Sequence, residues 1–133
     1  SKDNLKDMTI VTSKNHNNQI LHNLIKKANF KKVIVMGSIG CKIASIIRGE
    51  SDIYICLSLP GKSSPKDWDF SAPAAALKAA GGAITNLHNE ELTYGNLNYE
   101  QGGIIVASSN KSSHERICLQ IKEIIKNYNL YPL

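Results

Sequence analysis

Three short segments carry the side chains that phosphate and metal chemistry use. In Gly37-Ser38-Ile39-Gly40-Cys41-Lys42, glycines stand between a predicted strand and a predicted helix. Free backbone N–H groups and the helix dipole favour an anion there, and Lys42 adds charge. The spacing is not the G-x-x-x-x-G-K-[ST] of a P-loop, so an ATPase is excluded. A ligand-free strand-to-helix turn is the commoner use of such residues. The second segment, Lys66-Asp67-Trp68-Asp69, precedes an alanine-rich stretch. Its carboxylates suit either an N-cap or a hard oxygen site for Mg²⁺. Phosphoryl transfer draws metal carboxylates from several places, and the chain offers no second acidic cluster. Glu90-Glu91 falls in a predicted turn, and Asp3 and Asp7 lie near the start. The third segment, Thr12-Ser13-Lys14-Asn15-His16-Asn17, follows a predicted strand. Ser13 or Asn17 can cap the next helix, and an imidazole in such a loop is usually solvated. A cation, a hydroxyl and an imidazole together also suit a phosphate or an adenine edge.

Positioning these segments requires alternating strands and helices, and the hydrophobic pattern supplies them. Strands are predicted at 8–12, 33–36, 52–57, 83–85 and 104–107. Helical spacing covers 17–28, with Ile20, Leu21, Leu24, Ile25 and Ala28, and also 41–48, ending at Gly49. Residues 71–80 are nearly all alanine and leucine and stop at Gly81-Gly82. Ser71 is the predicted N-cap, which puts Pro73 in the first turn. A closing helix over 112–127 turns Ile117, Ile121, Ile124, Ile125 and Tyr128 inward. This order predicts one α/β domain over 1–133, with a mixed, largely parallel sheet flanked by helices.

Composition narrows the function. The 133 residues are 42% hydrophobic and 20% charged, a globular balance. No run is long enough for a membrane span, and no charged-then-apolar leader is present. Cys41, Cys56 and Cys118 are odd in number and widely spaced, which argues against zinc or a disulfide framework and for a reducing cytoplasm. The net charge of +5 comes from scattered lysines, with no zinc finger, RNP-like motif or long basic stripe. It suits a phosphorylated small molecule better than nucleic acid.

Taken together and in order, the segments resemble the C-terminal half of the inositol-monophosphatase superfamily. That family's last metal-binding motif is W-D, followed by an alanine-rich helix and G-G. Here Trp68, Asp69, Ala72, Pro73 and Gly81-Gly82 match it. The nearest branch is the 3'(2'),5'-bisphosphate nucleotidases. Their T-R-S-H-like segment is matched by Thr12 to His16 and their G-x-x-x-x-K turn by Gly37 to Lys42. Pro73 stands where inositol monophosphatases usually have glycine. The resemblance runs over about residues 8–110 and includes Thr85 and Gly103 to Ser108.

The resemblance implies the C-terminal domain of the inositol-monophosphatase-like sugar phosphatase fold. It implies a Mg²⁺-dependent phosphatase, with two or three ions in the complete enzyme, that removes the 3'-phosphate from 3'-phosphoadenosine 5'-phosphate. Asp69 would be a metal ligand. Ser13, His16, Gly37, Ser38, Lys42 and Lys66 would border the nucleotide. No catalytic residue is assigned to this half, because the family's glutamate and D-P-x-D-G-T motif belong to the N-terminal half, which these residues lack. That half, or an oligomer partner, would cover apolar surface exposed here. Ala74, Lys14-Asn15 and Asn86 depart from the family pattern. Two alternatives remain: an inositol- or sugar-phosphate phosphatase, and a non-catalytic domain that binds nucleotide or a partner.

Overall fold

The computed structural model describes residues 4–13, 19–58, 67–92 and 103–131, with backbone alone at Ser58 and 67–70. A 3-10 turn at Leu5–Asp7 leads into β1 (Thr9–Ser13), α1 (Gln19–Ala28), β2 (Lys32–Met36), α2 (Ile39–Ile47) and β3 (Ile53–Ser58). Then come α3 (Asp67–Ala79), β4 (Ala83–Asn86), β5 (Gly103–Ser108) and α4 (Lys111–Tyr128). The five strands form one sheet in the order β2-β1-β3-β5-β4. β1 runs parallel to β2 and β3, and β5 runs antiparallel to β3 and β4, so the sheet is mixed.

Strand alternation divides the core into two layers. Ile10, Ile53, Ile55 and Val106 face α1 and α4, where they meet Leu24, Ile117, Ile121 and Ile125. Val11, Tyr54, Ile105 and Ala107 face α2 and α3, where they meet Ile43, Ile46, Ala74 and Leu77. α1 and α4 stop where an asparagine takes a left-handed conformation, Asn29 at φ 57° and Asn129 at φ 49°. Gly49 plays that part after α2 at φ 81°.

Two local expectations need correction. α3 begins at Asp67, so Ser71 lies inside the helix and Pro73 is well past the first turn. Proline has no N–H for the carbonyl four residues back, so the Asp69 carbonyl loses its helical donor. Tyr128 is 54% exposed rather than inward, with the Lys27 ammonium 4.6 Å from its ring centroid. A ring beside a cation gains from the charge while its edge stays in water.

Candidate active site

The topology brings the matched segments to one edge of the sheet. β1, β2 and β3 are parallel, so Ser13, Met36 and Ser58 all end there, with Ser13 and Met36 register partners. α2 starts immediately past β2 and therefore has its N-terminus at this edge. α3 follows from the register: Ala83 pairs with Ser108, which pairs with Ile53, so β4 begins at the opposite edge. α3 runs down to that start, which leaves Asp67 to Asp69 on the same edge as Gly37 and Ser38. In open α/β sheets, ligands bind outside the carboxyl ends of the strands. Here two helix N-termini on one face of the sheet add their positive ends to that position.

The Gly37–Lys42 turn is the best-defined part. Ser38 is the N-cap of α2, and its Oγ accepts from the Cys41 N–H at 3.1 Å. The hydroxyl proton is thus left to donate outward. Gly37, Ser38 and Gly40 are exposed. Lys42 behaves differently from a surface phosphate clamp. It is only 2% exposed, and its Nζ donates to the Gly37 carbonyl at 2.9 Å. The ammonium also lies 5.0 Å from the Tyr54 ring centroid. Burial pulls its pKa below the usual lysine value, against the raising influence of Cys56 and Cys41. Lys42 therefore supports the turn from beneath and places charge under it.

The other expected residues are distributed as follows. Ser13 is half-buried at the end of β1, beside the turn. Asp69 sits on the first turn of α3, where only the backbone is described. His16 and Lys66 lie outside the described residues. Among the described residues, no group of three or more His, Cys, Asp or Glu could hold a metal. Asp67 and Asp69 take their places in the first turn of α3 at this edge, and aspartate is the residue type that supplies the hard oxygen donors Mg²⁺ takes as part of a larger set.

Sequence reasoning missed a buried polar network on the other side of the sheet. His114 Nε2 lies 2.7 Å from Thr85 Oγ1, and its Nδ1 lies 2.6 Å from Ser108 Oγ. Thr85 spends its own proton on the Asn86 carbonyl at 2.8 Å. That makes Nε2 the protonated nitrogen and Nδ1 the acceptor from Ser108. Burial lowers the His114 pKa to about 4. No local signal in the sequence marks a histidine near a helix start as a core residue. Asn86, which departs from the family pattern, shapes the next turn: its Oδ1 accepts from the N–H groups of His88 and Glu90.

An α/β sheet that gathers two helix N-termini, two serine hydroxyls and a buried lysine at one edge has the architecture of a phosphate-handling domain. The comparisons with known proteins name the family. The Inositol monophosphatase family matches residues 2–126, and this chain belongs to it. The 3'(2'),5'-bisphosphate nucleotidase 1 of Mus musculus is 32% identical over 120 residues, covering 89% of this chain and 37% of that protein. The Golgi-resident adenosine 3',5'-bisphosphate 3'-phosphatase of Homo sapiens is 26% identical over 130 residues, 92% of this chain and 34% of that one. This chain thus spans about a third of the length of the curated relatives it matches. Among solved structures, inositol monophosphatase-II of Staphylococcus aureus superposes with a TM-score of 0.67 at 21% identity, over 100% of this chain and 47% of that one. The Thermotoga maritima enzyme gives 0.67 at 16% identity, over 94% and 44%. At such identities these structures speak for the fold.

Proposed function

We propose that this chain forms one wall of the active site of a Mg²⁺-dependent phosphatase that removes the 3'-phosphate from 3'-phosphoadenosine 5'-phosphate. The observation that carries the reading is the convergence of the α2 and α3 N-termini with Ser13 and the Gly37–Ser38 turn. The names of the relatives that match most of the chain support the nucleotide as substrate.

Each residue has a role in this reading. The Ser38 and Ser13 hydroxyls and the free N–H groups at the start of α2 hold phosphate oxygens. Lys42 keeps the turn in shape and offsets the charge gathered above it. His16 would border the base, and Lys66, just ahead of α3 in the sequence, would bind phosphate. Asp69 holds an ion whose charge, when bound, offsets that of the phosphoryl oxygens. The remaining carboxylates come from the N-terminal half of the family's chain. Hydrolysis adds water to phosphorus and breaks the P–O3' bond, which leaves adenosine 5'-phosphate and inorganic phosphate. The odd count and wide spacing of the three cysteines support a cytoplasmic setting.

The test is phosphate release by the full-length protein. The 3'-phosphorylated nucleotide should exceed inositol 1-phosphate in kcat/KM, and chelation with EDTA should abolish release. Asp69→Asn should lower kcat by about a hundredfold or more. The similarity to inositol monophosphatase 3 of Xenopus laevis, 27% over 78% of the chain, favours an inositol phosphate as the second reading. Faster turnover of inositol 1-phosphate would establish it.

A further inference from the structure

A groove of about 420 Å³ runs between α1 and β2, on the face of the sheet away from α2 and α3. Val33 and Val35 pair in register with Ile10 and Thr12, and Ile10 packs in the layer under α1, so all four point to that face. α1 covers β1 and leaves Val33 and Val35 47% and 51% exposed. With Ile25 they form an apolar floor. Thr12 lines the same groove, is 3% exposed, and its Oγ1 has no hydrogen-bond partner among the described residues. A buried hydroxyl has given up its hydration, and left unpaired it calls for a partner that enters from outside. His22 and Lys26 stand one helical turn apart on the rim, and no acidic side chain lines the groove.

This chain spans 37% of its murine relative, so the remainder of a protein of that length needs a face to pack on. The α2–α3 layer offers one. Ala72, Ala75, Ala76 and Ala79 make an exposed stripe at helical spacing on α3, and Ile47 on α2 is 41% exposed. The same layer carries the helix N-termini at which further metal carboxylates are required. The layer of α1 and α4 instead turns Gln19, Glu115, Arg116 and Glu123 outward, a face suited to water. β2 itself is a short strand that begins at exposed Lys31 and Lys32, which blunts its open edge against a further strand. The groove therefore lies on the outer face, open to a small ligand, and its volume is of the size such ligands fill.

Its polar groups stand at the two ends of the apolar floor. β1 and β2 are parallel, so α1 returns the chain from the end where they finish. Thr12, Val35 and His22 lie toward that end. Val33 and Lys26 lie roughly 6 Å further down, two strand residues or one helical turn away. A flat six-membered ring with polar groups at its two para positions spans that distance. One ammonium matches a single negative charge, which a carboxylate carries and a phosphate monoester exceeds. We infer that the α1–β2 groove binds a small para-hydroxyaryl carboxylate. Its ring lies on Ile25, Val33 and Val35, its carboxylate meets the Lys26 ammonium, and its hydroxyl meets Thr12 Oγ1 beside His22.

The probe is radiolabelled 4-hydroxybenzoate, followed by equilibrium dialysis against the full-length protein. Saturable binding with a Kd of about 0.1 mM is expected for a ligand of this size. Adenosine 3',5'-bisphosphate should not displace it. Benzoate, which lacks the hydroxyl, should bind about tenfold more weakly. Thr12→Val should weaken 4-hydroxybenzoate about tenfold and leave benzoate unchanged, since each change removes the same hydrogen bond. Thr12→Val should not lower Tm, because the free protein loses no partner. Lys26→Gln, at an exposed position on α1, should weaken both acids several-fold. The inference is overturned if the full-length protein shows no saturable uptake at about 10 mM acid, or if the nucleotide competes. It is overturned equally if benzoate binds as tightly, if Lys26→Gln leaves both acids unaffected, or if Thr12→Val lowers Tm, which would mark the hydroxyl as satisfied within the protein. Binding by this 133-residue chain but not by the full-length protein would assign the groove to the remainder and overturn it. Sedimentation that shows a dimer abolished by Val35→Glu would assign the groove to a second copy, with the same consequence.

Discussion

At the scale of single residues, the fold keeps two ionisable groups out of water, and each gives a measurable consequence. Lys42 lies under the Gly37–Ser38 turn with its ammonium on the Gly37 carbonyl. Truncation to alanine loses the long packed stem along with the charge, so Lys42→Ala should cost about 2–4 kcal/mol in urea denaturation. Lys42→Met keeps the volume and should cost less than about 1 kcal/mol, since a well-packed apolar replacement removes the desolvation penalty. Phosphate affinity should fall in both variants, which separates the electrostatic role from the structural one. His114 bears on acid stability. Its folded pKa, about 4, lies below the 6.5 of a free imidazole, so between those values the unfolded chain binds the extra proton. Its contribution is fully present above pH 6.5 and is lost as pH falls toward 4, on the order of 3 kcal/mol across the window. Thermal unfolding followed from pH 7 to 4.5 should show that slope, and His114→Gln should be less stable at pH 7 with the slope reduced.

At the scale of elements, α3 shows what the sequence conveyed and what it did not. The alanine run and Gly81-Gly82 located its body and end. Its start was misplaced because Pro73 reads locally as a first-turn residue, whereas the packing of Ala74 and Leu77 on the sheet holds the helix through the proline. Removing the proline should therefore stabilise: Pro73→Ala restores the bond to the Asp69 carbonyl and should raise stability by about 1–3 kcal/mol in denaturant titration. Gly82 is the reverse case. A Cβ there would sit 2.5 Å from the Ser108 carbonyl oxygen and 2.6 Å from Leu77 Cδ1. Gly82→Ala should cost about 1–3 kcal/mol, because the close approach of α3 to β5 cannot relax around backbone. The strands and helices were legible because apolar period survives in single sequences. The serines and glycines of the site were legible because they flank strand ends. The inward turn of Lys42 and the His114 network were not, since both depend on partners, Tyr54 and Thr85, far away in sequence.

At the scale of the whole molecule, the distribution of charge and of metal donors points beyond this chain. The edge where β1, β2 and β3 end has hydroxyl groups, a buried lysine and the start of one acidic motif, and the chain spans 37% of its murine relative. A centre that holds two or three divalent ions needs carboxylates on several elements, each ion drawing on ligands that fix its geometry. If Asp69 is one member of that set, this chain alone should bind a phosphorylated nucleotide weakly and release no phosphate from it. The two properties separate the reading from its rivals. A complete phosphatase domain would turn over substrate without help, and a dedicated nucleotide-binding module would bind tightly with or without Mg²⁺. Calorimetry with adenosine 3',5'-bisphosphate, paired with a phosphate-release assay, distinguishes all three. The expected outcome is weak binding that Ser38→Ala weakens further, no turnover, and turnover restored only when the N-terminal half of the family's chain is supplied. Asp69→Asn should then abolish the restored activity while leaving the weak binding of the isolated chain unchanged, because in this reading Asp69 holds the metal while Ser13 and the Gly37–Ser38 turn hold the nucleotide.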